Sequence, residues 1–373
     1  MIKIPTFVQQ LSQYKPGKPI GELAREKNLD KIVKLASNEN PLGPSPKAVQ
    51  AMKKVIDDVH RYGDPASYEL VHAIADKFGV QPNHVICGHG IDSLISYILN
   101  AFTTEEDEIL TSEGTFIGIY VACRKMGRNL KTVPMRNYGF DLDAILENIS
   151  DKTTLIYLAN PNNPTGTLFE REEFEAFMTK VPNHIMVMLD EAYTAYASDN
   201  PNYPNGLTYD YENMVVTRTL SKAYGLAGMR LGFAVGPDQV IEALYKVKLP
   251  FEPNLLAQHA GMGALEDDEF IQQTIDLNKR SMSMLEDCFV DLGIEFVPSY
   301  TNFLLLLMPT NVMATEFVDE CMNRGLILRG TETFGIANGV RINTGTMEET
   351  AFAIGIIKEV YQNLIVEHKT LEQ

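Results

Sequence analysis

The stretch MVVTRTLSKAYGLAGMR, residues 214–230, carries the strongest structural signal in the chain. Its beginning, Met214 to Thr217, is β-branched and apolar, which is typical of a buried strand. A turn rich in hydroxyl groups and glycine follows, and it contains Ser221, Lys222 and Arg230. Because parallel sheets build their binding sites at the carboxyl ends of their strands, this order of elements predicts a strand that leads into a site.

Five further short apolar runs, separated by helix-like stretches, lie upstream and downstream of this one. They are Val85 to Cys87, Glu108 to Thr111, Leu155 to Leu158, Ile185 to Leu189 and Leu231 to Val235. Strands that alternate with helices form βαβ units and therefore a mostly parallel sheet that is covered on both faces. The sequence thus predicts an α/β fold, with a large domain built on a mostly parallel central sheet flanked by helices.

After Pro253 the pattern changes to one that predicts a smaller α+β domain. Its expected elements are a helical stretch from Asn254 to about Asp291, a strand from Asn302 to Leu307, a helix from Ala314 to Arg324, short strands at Ile327 to Arg329 and Val340 to Asn343, and a closing helix from Met347 to His368. Residues 1–44 are rich in Pro, Gly and Asn, which favours an irregular N-terminal arm that completes the small domain. The predicted division is 1–44, 45–253 for the large domain and 254–373 for the small one.

Composition excludes several classes of function. The 373 residues include 32 Lys and Arg against 49 Asp and Glu, and this net charge of −17 disfavours binding to nucleic acid or to an anionic membrane. The longest uncharged apolar stretch, Phe303 to Met308, is too short to cross a membrane. The four cysteines contain no CxxC pair, so neither disulfides nor a metal site is expected. With no secretory signal at the N-terminus, we expect a cytoplasmic protein.

Polar clusters also follow two other predicted strands. NPNNPTG, residues 160–166, comes after Leu155 to Leu158, and DEAY, residues 190–193, comes after Ile185 to Leu189. Alone, the first is explained as a turn and the second as the start of a helix. Three successive strands that each end in a polar cluster at one sheet edge predict a functional site there.

The segment CGHGIDS, residues 87–93, joins a strand to an apolar helix. It matches the dinucleotide fingerprint GxGxxG only in part, because Ser93 replaces the third glycine. The free N–H groups at such a helix start still favour an anion such as phosphate. Ser221 and Arg230 beside Lys222 suit the same anion, and a lysine in an electropositive, partly desolvated place becomes a nucleophile toward carbonyl groups.

Together these motifs give the chain a resemblance to the fold-type I pyridoxal-phosphate-dependent aminotransferases, and among them to the histidinol-phosphate aminotransferases. The motifs that carry the resemblance extend over nearly the whole chain. They are YKPGKP (14–19), SNENP (37–41), RY (61–62), GID (90–92), NPNNPTG, DEAY, TLSKAYGLAGMR and the late Arg341.

The resemblance implies pyridoxal 5′-phosphate as cofactor and assigns roles around it. Lys222 would bind the cofactor covalently and move the substrate proton, and Asp190 would pair with the protonated pyridine nitrogen. Tyr193 and Asn163 would bind the oxygen on the ring. The residues implied at the cofactor phosphate and ring face are Gly90, Ile91, Asp92, Ser221, Arg230 and, as the stacking aromatic, Phe116.

The same resemblance implies a homodimer with shared sites, because Tyr62 matches a residue that reaches the cofactor of the neighbouring subunit. This chain has Gly63 where the family usually has Pro, which makes that contact less rigid. For the substrate, Arg341 matches the arginine that binds its anionic end. Arg329, Tyr14 and Asn40 are further substrate-binding candidates, and no metal is implied.

The reaction that follows is a ping-pong transamination. L-Histidinol phosphate and 2-oxoglutarate would give imidazole-acetol phosphate and L-glutamate, a step of histidine biosynthesis. Two alternatives keep the same cofactor motifs: an aromatic amino-acid aminotransferase, and a decarboxylase of a phosphorylated amino acid.

Overall fold

The computed structural model describes residues 2–11, 20–27, 29 and 31–371. The strands in these ranges are β1 (Val33–Lys34), β2 (Val85–Gly88), β3 (Glu108–Ser112), β4 (Asn129–Val133), β5 (Thr153–Ala159), β6 (Met186–Asp190), β7 (Met214–Thr219), β8 (Gly232–Val235), β9 (Glu295–Val297), β10 (Phe303–Leu307), β11 (Leu326–Ile327), β12 (Arg329–Gly330) and β13 (Gly339–Asn343). The helices are α1 (Thr6–Gln9), α2 (Ile20–Lys27), α3 (Pro46–Val55), α4 (Tyr68–Phe78), α5 (Gly90–Phe102), α6 (Ile117–Lys125), α7 (Leu142–Glu147), α8 (Arg171–Met178), α9 (Thr194–Ala197), α10 (Asp238–Val247), α11 (Leu255–Leu265), α12 (Asp268–Leu292), α13 (Asn311–Asn323) and α14 (Met347–Leu371).

The larger sheet has the strand order β2-β8-β7-β6-β5-β3-β4. Strands β3 to β7 pair in parallel, whereas β8 is antiparallel to both of its neighbours. This arrangement confirms the predicted mostly parallel sheet. Strand β4 was not predicted, because it lies at the sheet edge, where its polar and half-buried residues form no apolar run.

Both faces of the large sheet are covered, and β2 shows how. Val85 and Cys87 pack with side chains of α3, α4 and α11, whereas the intervening Ile86 packs with side chains of α5 and α6. Successive side chains of a strand point to opposite faces, so one strand contributes to two hydrophobic clusters. A strand buried on both sides reads as a continuous apolar run, which is why this part of the sheet was predictable.

The small domain is built on a second sheet, of order β12-β13-β10-β9, whose pairs are all antiparallel. Its hydrophobic cluster combines strands β10 and β13 with helices α12, α13 and α14. Strand β1 joins this domain through a parallel pairing in which Val33 lies opposite Leu326. This pairing supports the expectation that the N-terminal segment completes the small domain.

Helix α11 belongs with the large domain by its packing. Ala257, Ala260 and Ala264 share a hydrophobic cluster with Ala48 of α3 and with residues of α4. We therefore propose that the small domain begins after this helix, later than residue 254.

The predicted helical stretch from Asn254 to about Asp291 consists of two helices. They separate at Asp267, whose carboxylate accepts a hydrogen bond from Ser45 Oγ at 2.5 Å, near the start of α3. The predicted strand from Ile327 to Arg329 likewise divides into β11 and β12, which belong to different sheets. Across the described ranges, no helix combines the length and the apolar character that a bilayer crossing requires.

The close contact between α11 and α3 depends on Gly263. A Cβ atom at this buried position would lie 2.6 Å from the carbonyl oxygen of Lys47 and 3.0 Å from the Cα atom of Ala48. Both are backbone atoms, so the helices would have to separate to admit a methyl group.

We expect Gly263→Ala to lower the free energy of unfolding by about 1–3 kcal/mol through this overpacking. The matched control is Gly355→Ala in the exposed part of α14, where a Cβ atom would meet nothing within 4 Å. That change should raise stability by up to about 1 kcal/mol, because alanine is the better helix former. Urea unfolding followed by circular dichroism measures both, and equal effects of the two substitutions would contradict the packing argument.

Candidate active site

The polar clusters that follow β5, β6 and β7 line one cavity of about 410 Å³, together with the start of α5. The sequence-predicted residues on its wall are Ile91, Asp92, Phe116, Asn163, Asp190, Tyr193, Ser221, Lys222 and Arg230. The parallel register explains their convergence, since Ala159 lies opposite Asp190 and Asp190 lies opposite Thr217. The structure therefore brings together the clusters that the sequence placed at one sheet edge.

Lys222 opens onto this cavity and is otherwise enclosed by protein. Its Nζ donates a hydrogen bond to the backbone carbonyl oxygen of Ser37 at 3.3 Å. Burial lowers the pKa of Lys222 to about 8, and the positive charges of Arg341 and Arg230 act in the same direction. A substantial fraction of the amine is therefore neutral near pH 8, and a neutral amine is chemically suited to act as a nucleophile or base.

Asp190 is the buried carboxylate of the cavity. Its Oδ2 accepts a hydrogen bond from the hydroxyl of Tyr157 at 2.7 Å, and its Oδ1 accepts one from the backbone N–H of Ala192 at 3.0 Å. Burial raises the pKa of Asp190 to about 6, although these two hydrogen bonds oppose the shift. Such a carboxylate suits a cationic N–H group of a ligand, which would favour its ionised form.

Tyr193 and Asn163 lie on the cavity wall, and Arg341 of β13 contacts Asn163 from the small domain. The Tyr193 hydroxyl accepts a hydrogen bond from Asn38 Nδ2 at 2.7 Å, and burial raises the pKa of Tyr193 to about 12. Arg341 donates to Asn163 Oδ1 and, at 2.8 Å, to the carbonyl oxygen of Ala36. Arg341 itself is buried, and it joins a cavity residue of the large domain to the N-terminal segment.

The start of α5 and Arg230 form the part of the cavity suited to an anion. Gly90 has a φ of +76°, and a Cβ atom there would lie 2.7 Å from Arg230 Nη2. Arg230 also has a positive φ, of +54°, and it forms an ion pair with Asp92 at 3.0 Å. Backbone N–H groups at a helix start, a guanidinium group and the nearby Ser221 are together the donors that bind phosphate.

Phe116 supplies an aromatic ring to the cavity wall. A Cβ atom at residue 118 would lie 2.2 Å from that ring, so Gly118 leaves the space in which the ring lies. An aromatic ring beside a carboxylate and an anion site fits a flat ligand with a phosphate group. The stacking role implied for Phe116 remains a prediction.

Arg329 and Arg341 lie opposite each other on the paired strands β12 and β13. Both guanidinium groups lie over the ring of Phe334, each with its central carbon 5.8 Å from the ring centre. The structure thus brings together the two arginines predicted to bind the substrate. Two guanidinium groups that both pack on one aromatic ring suit an anionic substrate group.

The cavity wall does not include the predicted residues Gly90, Tyr62, Asn40, Arg329 and Arg341. Tyr14 lies outside the described residues. Tyr62 is 81% exposed and stacks on Phe251 with ring centres 4.3 Å apart, so its contact with a neighbouring subunit stays a prediction.

The side-chain amide of Asn40 is hydrogen-bonded within the protein. Asn40 Nδ2 donates to the carbonyl oxygen of Ala223 at 2.9 Å and to Thr274 Oγ1 at 3.0 Å. Its Oδ1 accepts from the backbone N–H of Leu42 at 3.0 Å. Asn40 therefore fixes the N-terminal segment next to Lys222, and its contact with the substrate stays a prediction.

Residues 36–40 form a bridge between the two domains, and the sequence analysis did not identify it. The carbonyl oxygens of Ala36 and Ser37 accept hydrogen bonds from Arg341 and Lys222. Asn38, at a φ of +56°, donates its backbone N–H to Asn343 Oδ1 at 3.0 Å in addition to its contact with Tyr193. The only sequence signal for this bridge was the motif SNENP itself.

Glu191 and Arg218, two further residues that the sequence analysis missed, hold the loops around the cavity. Glu191 Oε2 accepts hydrogen bonds from Arg218 Nε at 2.9 Å and Nη2 at 2.6 Å, and both side chains are buried. The other oxygen, Oε1, accepts from the backbone N–H of Gly206 at 2.6 Å. A buried acid one residue after Asp190, with an arginine at the end of the next strand, could have suggested this pair.

Comparisons with known proteins agree with this geometry. The model of the family "Aminotransferase class I and II" matches residues 30–357. The chain is 40% identical to "Histidinol-phosphate aminotransferase 2" of Hydrogenovibrio crunogenus over 357 residues, which cover 95% of each chain, and 39% identical to the protein of that name from Pasteurella multocida, over 95% and 96%.

Solved structures give the same result. The histidinol-phosphate aminotransferase of Sinorhizobium meliloti, in complex with pyridoxal-5′-phosphate, superimposes with a TM-score of 0.90 at 27% identity and covers 98% of this chain and 99% of its own. An aspartate aminotransferase of Thermus thermophilus with maleate superimposes with a TM-score of 0.81 at 21% identity, over 96% and 100%, which is a likeness of fold.

The lowered pKa of Lys222 predicts a reactivity that can be measured in the ligand-free protein. Reductive methylation of Lys222 should reach its half-maximal rate near pH 8, whereas an ordinary lysine requires a pH above about 10. Replacing Arg341 with Met removes a nearby positive charge, so the half-maximal pH should rise. Peptide mass spectrometry gives both profiles, and a Lys222 profile like that of exposed lysines would contradict the description.

Proposed function

Because the chain belongs to the class I and II aminotransferases, we propose that it transfers an amino group between L-histidinol phosphate and 2-oxoglutarate with pyridoxal 5′-phosphate as cofactor. The products would be imidazole-acetol phosphate and L-glutamate, a reaction of histidine biosynthesis. Relatives of about 40% identity that carry the name histidinol-phosphate aminotransferase support this substrate. The single observation that carries the proposal is Lys222, an amine of lowered pKa in one cavity with Asp190 and Arg230.

The residues of the cavity fit this cofactor. Lys222 offers the amine that would bind it covalently, and Asp190 offers a carboxylate for its ring nitrogen. Arg230, Ser221 and the start of α5 would hold its phosphate, in the place where Gly90 keeps the backbone close to the guanidinium group. Asn163 and Tyr193 would donate to the oxygen on its ring.

Pyridoxal phosphate supplies, when bound, an electron sink for the charge that develops when a proton leaves the α carbon of the substrate. Lys222 Nζ is the group that would take this proton and return it, since a pKa of about 8 keeps both of its protonation states accessible near neutral pH. The carboxylate of Asp190 would keep a proton on the ring nitrogen.

Arg341 and Arg329 would recognise the anionic end of the substrate. Two guanidinium groups on neighbouring strands can accept a phosphate in one half-reaction and a carboxylate in the other. This dual use fits a ping-pong sequence in which the amino donor and the oxo-acid acceptor enter the same site in turn.

We expect Lys222→Ala to lower kcat at least about 1,000-fold, because the variant lacks the proton-transferring amine. Lys246→Ala is the control, since Lys246 lies on the exposed side of α10 and forms a surface ion pair with Glu242. Steady-state assay with L-histidinol phosphate and 2-oxoglutarate measures both variants. Normal turnover by the Lys222 variant would refute the proposed role.

The substrate is tested in half-reactions followed by the visible absorbance of the cofactor. In the wild-type protein, the concentration of L-histidinol phosphate needed to convert the cofactor to its aminated form should be far lower than that of L-phenylalanine. Glutamate alone should yield 2-oxoglutarate without release of carbon dioxide. A preference for phenylalanine would make the protein an aromatic aminotransferase, and carbon dioxide release would make it a decarboxylase.

We propose that the enzyme acts as a homodimer with shared sites, in the cytoplasm. Large apolar side chains are exposed around Tyr62, among them Val59 and Leu249 at 55% and 58%, and a second copy of the chain would cover them. Tyr62 would then reach the cofactor phosphate of the partner. The four cysteines are free and buried thiols, as is usual in a reducing compartment.

Sedimentation velocity should give a mass of two chains, and mixed dimers test whether the sites are shared. Lys222→Ala and Tyr62→Ala chains, each weakly active alone, should recover about a quarter of wild-type activity when co-expressed in equal amounts, because half of the dimers then contain one intact site. No recovery in dimers of confirmed mixed composition would contradict the sharing of sites.

A further inference from the structure

We propose that Tyr157 is a positioning residue of this site, which fixes the orientation of the Asp190 carboxylate and keeps it ionised. Tyr157 lies on β5 and does not line the cavity, so it would act on the cofactor only through Asp190. The inference rests on the proposed function, because it concerns the carboxylate that would hold the ring nitrogen of pyridoxal phosphate.

The parallel register of β5 and β6 places the two side chains together. Asp190 lies opposite Ala159, and Tyr157 is two residues before Ala159 on the same strand. Side chains two residues apart on a strand point to the same face, so Tyr157 lies diagonally behind Asp190 on the face that bears the cavity.

Each oxygen of Asp190 has one donor from the protein. The Tyr157 hydroxyl donates to Oδ2 at 2.7 Å, and the backbone N–H of Ala192 donates to Oδ1 at 3.0 Å. Two donors at different oxygens fix the plane of a carboxylate, whereas one donor leaves it free to turn about its Cβ–Cγ bond. The Ala192 contact is local to the chain around Asp190, so Tyr157 is the anchor that comes from another strand.

A tyrosine with a purely structural role would not need the Asp190 carboxylate as its hydrogen-bond acceptor. Buried hydroxyl groups need an acceptor, and a backbone carbonyl satisfies them at no cost to the site. Tyr120, for instance, donates to the carbonyl oxygen of Ser112 at 2.7 Å. Tyr157 is fully buried and donates to the carboxylate of the site, which gives its hydroxyl an electrostatic effect there.

The electrostatic surroundings show why Asp190 requires such a donor. Burial raises the pKa of Asp190 to about 6, and the hydrogen bond from Tyr157 is the largest influence that lowers it. The other ionisable groups near Asp190 or on the same cavity wall are Asp92 of α5, Glu191 and Tyr193 of the loop after β6, and Lys222 and Arg230 after β7. Asp92 and Glu191 act against ionisation of Asp190, so loss of the Tyr157 donor would leave the Ala192 N–H to oppose burial and two negative charges.

Tyr157→Phe tests the proposal, because it removes one oxygen atom from a buried ring. The pKa of Asp190 should rise by about one to two units, which moves its ionisation to higher pH. The Kd for pyridoxal phosphate should therefore increase about ten-fold at pH 6 and little at pH 8.5. The rate of the glutamate half-reaction should fall at low pH, and the midpoint of this acid limb should move to higher pH by about the same one to two units.

Tyr120→Phe is the matched control, since it removes a hydroxyl group bonded to a backbone carbonyl, and it should move neither pH profile. In an Asp190→Asn background, Tyr157→Phe should have no further pH-dependent effect. A Tyr157→Phe protein with the wild-type acid limb, or with a Kd raised equally at both pH values, would overturn the positioning role. So would a variant that fails to fold, because the hydroxyl would then be structural.

These measurements separate the two proposals. They use pyridoxal phosphate and glutamate and not the phosphorylated substrate. If histidinol phosphate is a poor substrate while the Tyr157 variant shows its pH shift, the substrate assignment fails and the positioning role stands. If the wild-type chain does not bind pyridoxal phosphate at all, the proposed function itself fails.

Discussion

The register of three parallel strands is the constraint on which the cavity depends. Ala159 of β5, Asp190 of β6 and Thr217 of β7 lie side by side at the same level of the sheet. A slip of one residue between β5 and β6 would turn Asp190 to the opposite face and away from Tyr157. The strands are buried on both faces, so such a slip would also move each apolar side chain to the opposite face of the sheet and disrupt its packing. Packing of the hydrophobic core thus fixes the register of the strands, and the register fixes the position of the Asp190 carboxylate.

The buried pair of Glu191 and Arg218 extends this constraint to the loops. Burying two charges is costly unless their remaining hydrogen bonds are made, and here the backbone N–H of Gly206 and the amide oxygen of Asn205 complete them. Glu191 follows Asp190 directly, and Arg218 lies near the end of β7, four residues before Lys222. The pair therefore ties the loop that carries Tyr193 to the strand that leads to Lys222. Its contribution is better understood as geometric specificity than as stability.

The sequence predicted the parts of this protein that repeat a local pattern. Continuous apolar runs identified the buried strands, and the polar clusters after them identified Lys222, Asp190 and Asn163 as neighbours in one cavity. The same reasoning failed where a contact joins distant segments. Strand β4 lacks an apolar run because it is an edge strand. The sequence also did not show that the side-chain amide of Asn40 donates hydrogen bonds to Ala223 and Thr274. Tyr157 looked like one more core residue, because only the register between two strands shows what its hydroxyl contacts.

The bridge formed by residues 36–40 has a consequence for how this enzyme can change over evolutionary time. Lys222 and Arg341 both contact it through main-chain carbonyl oxygens, of Ser37 and Ala36. Every residue type has a main-chain carbonyl oxygen. Substitutions of Ala36 and Ser37 can therefore leave the contacts with the Lys222 amine and the Arg341 guanidinium group intact. What selection must preserve is the path of the backbone, and Asn38 is the residue that sets it, because a φ of +56° is readily adopted by asparagine and glycine and poorly by others. Variation along this segment is thereby governed by the backbone conformation at Asn38 and the hydrogen bonds of the Asn40 amide more than by the side chains of residues 36 and 37.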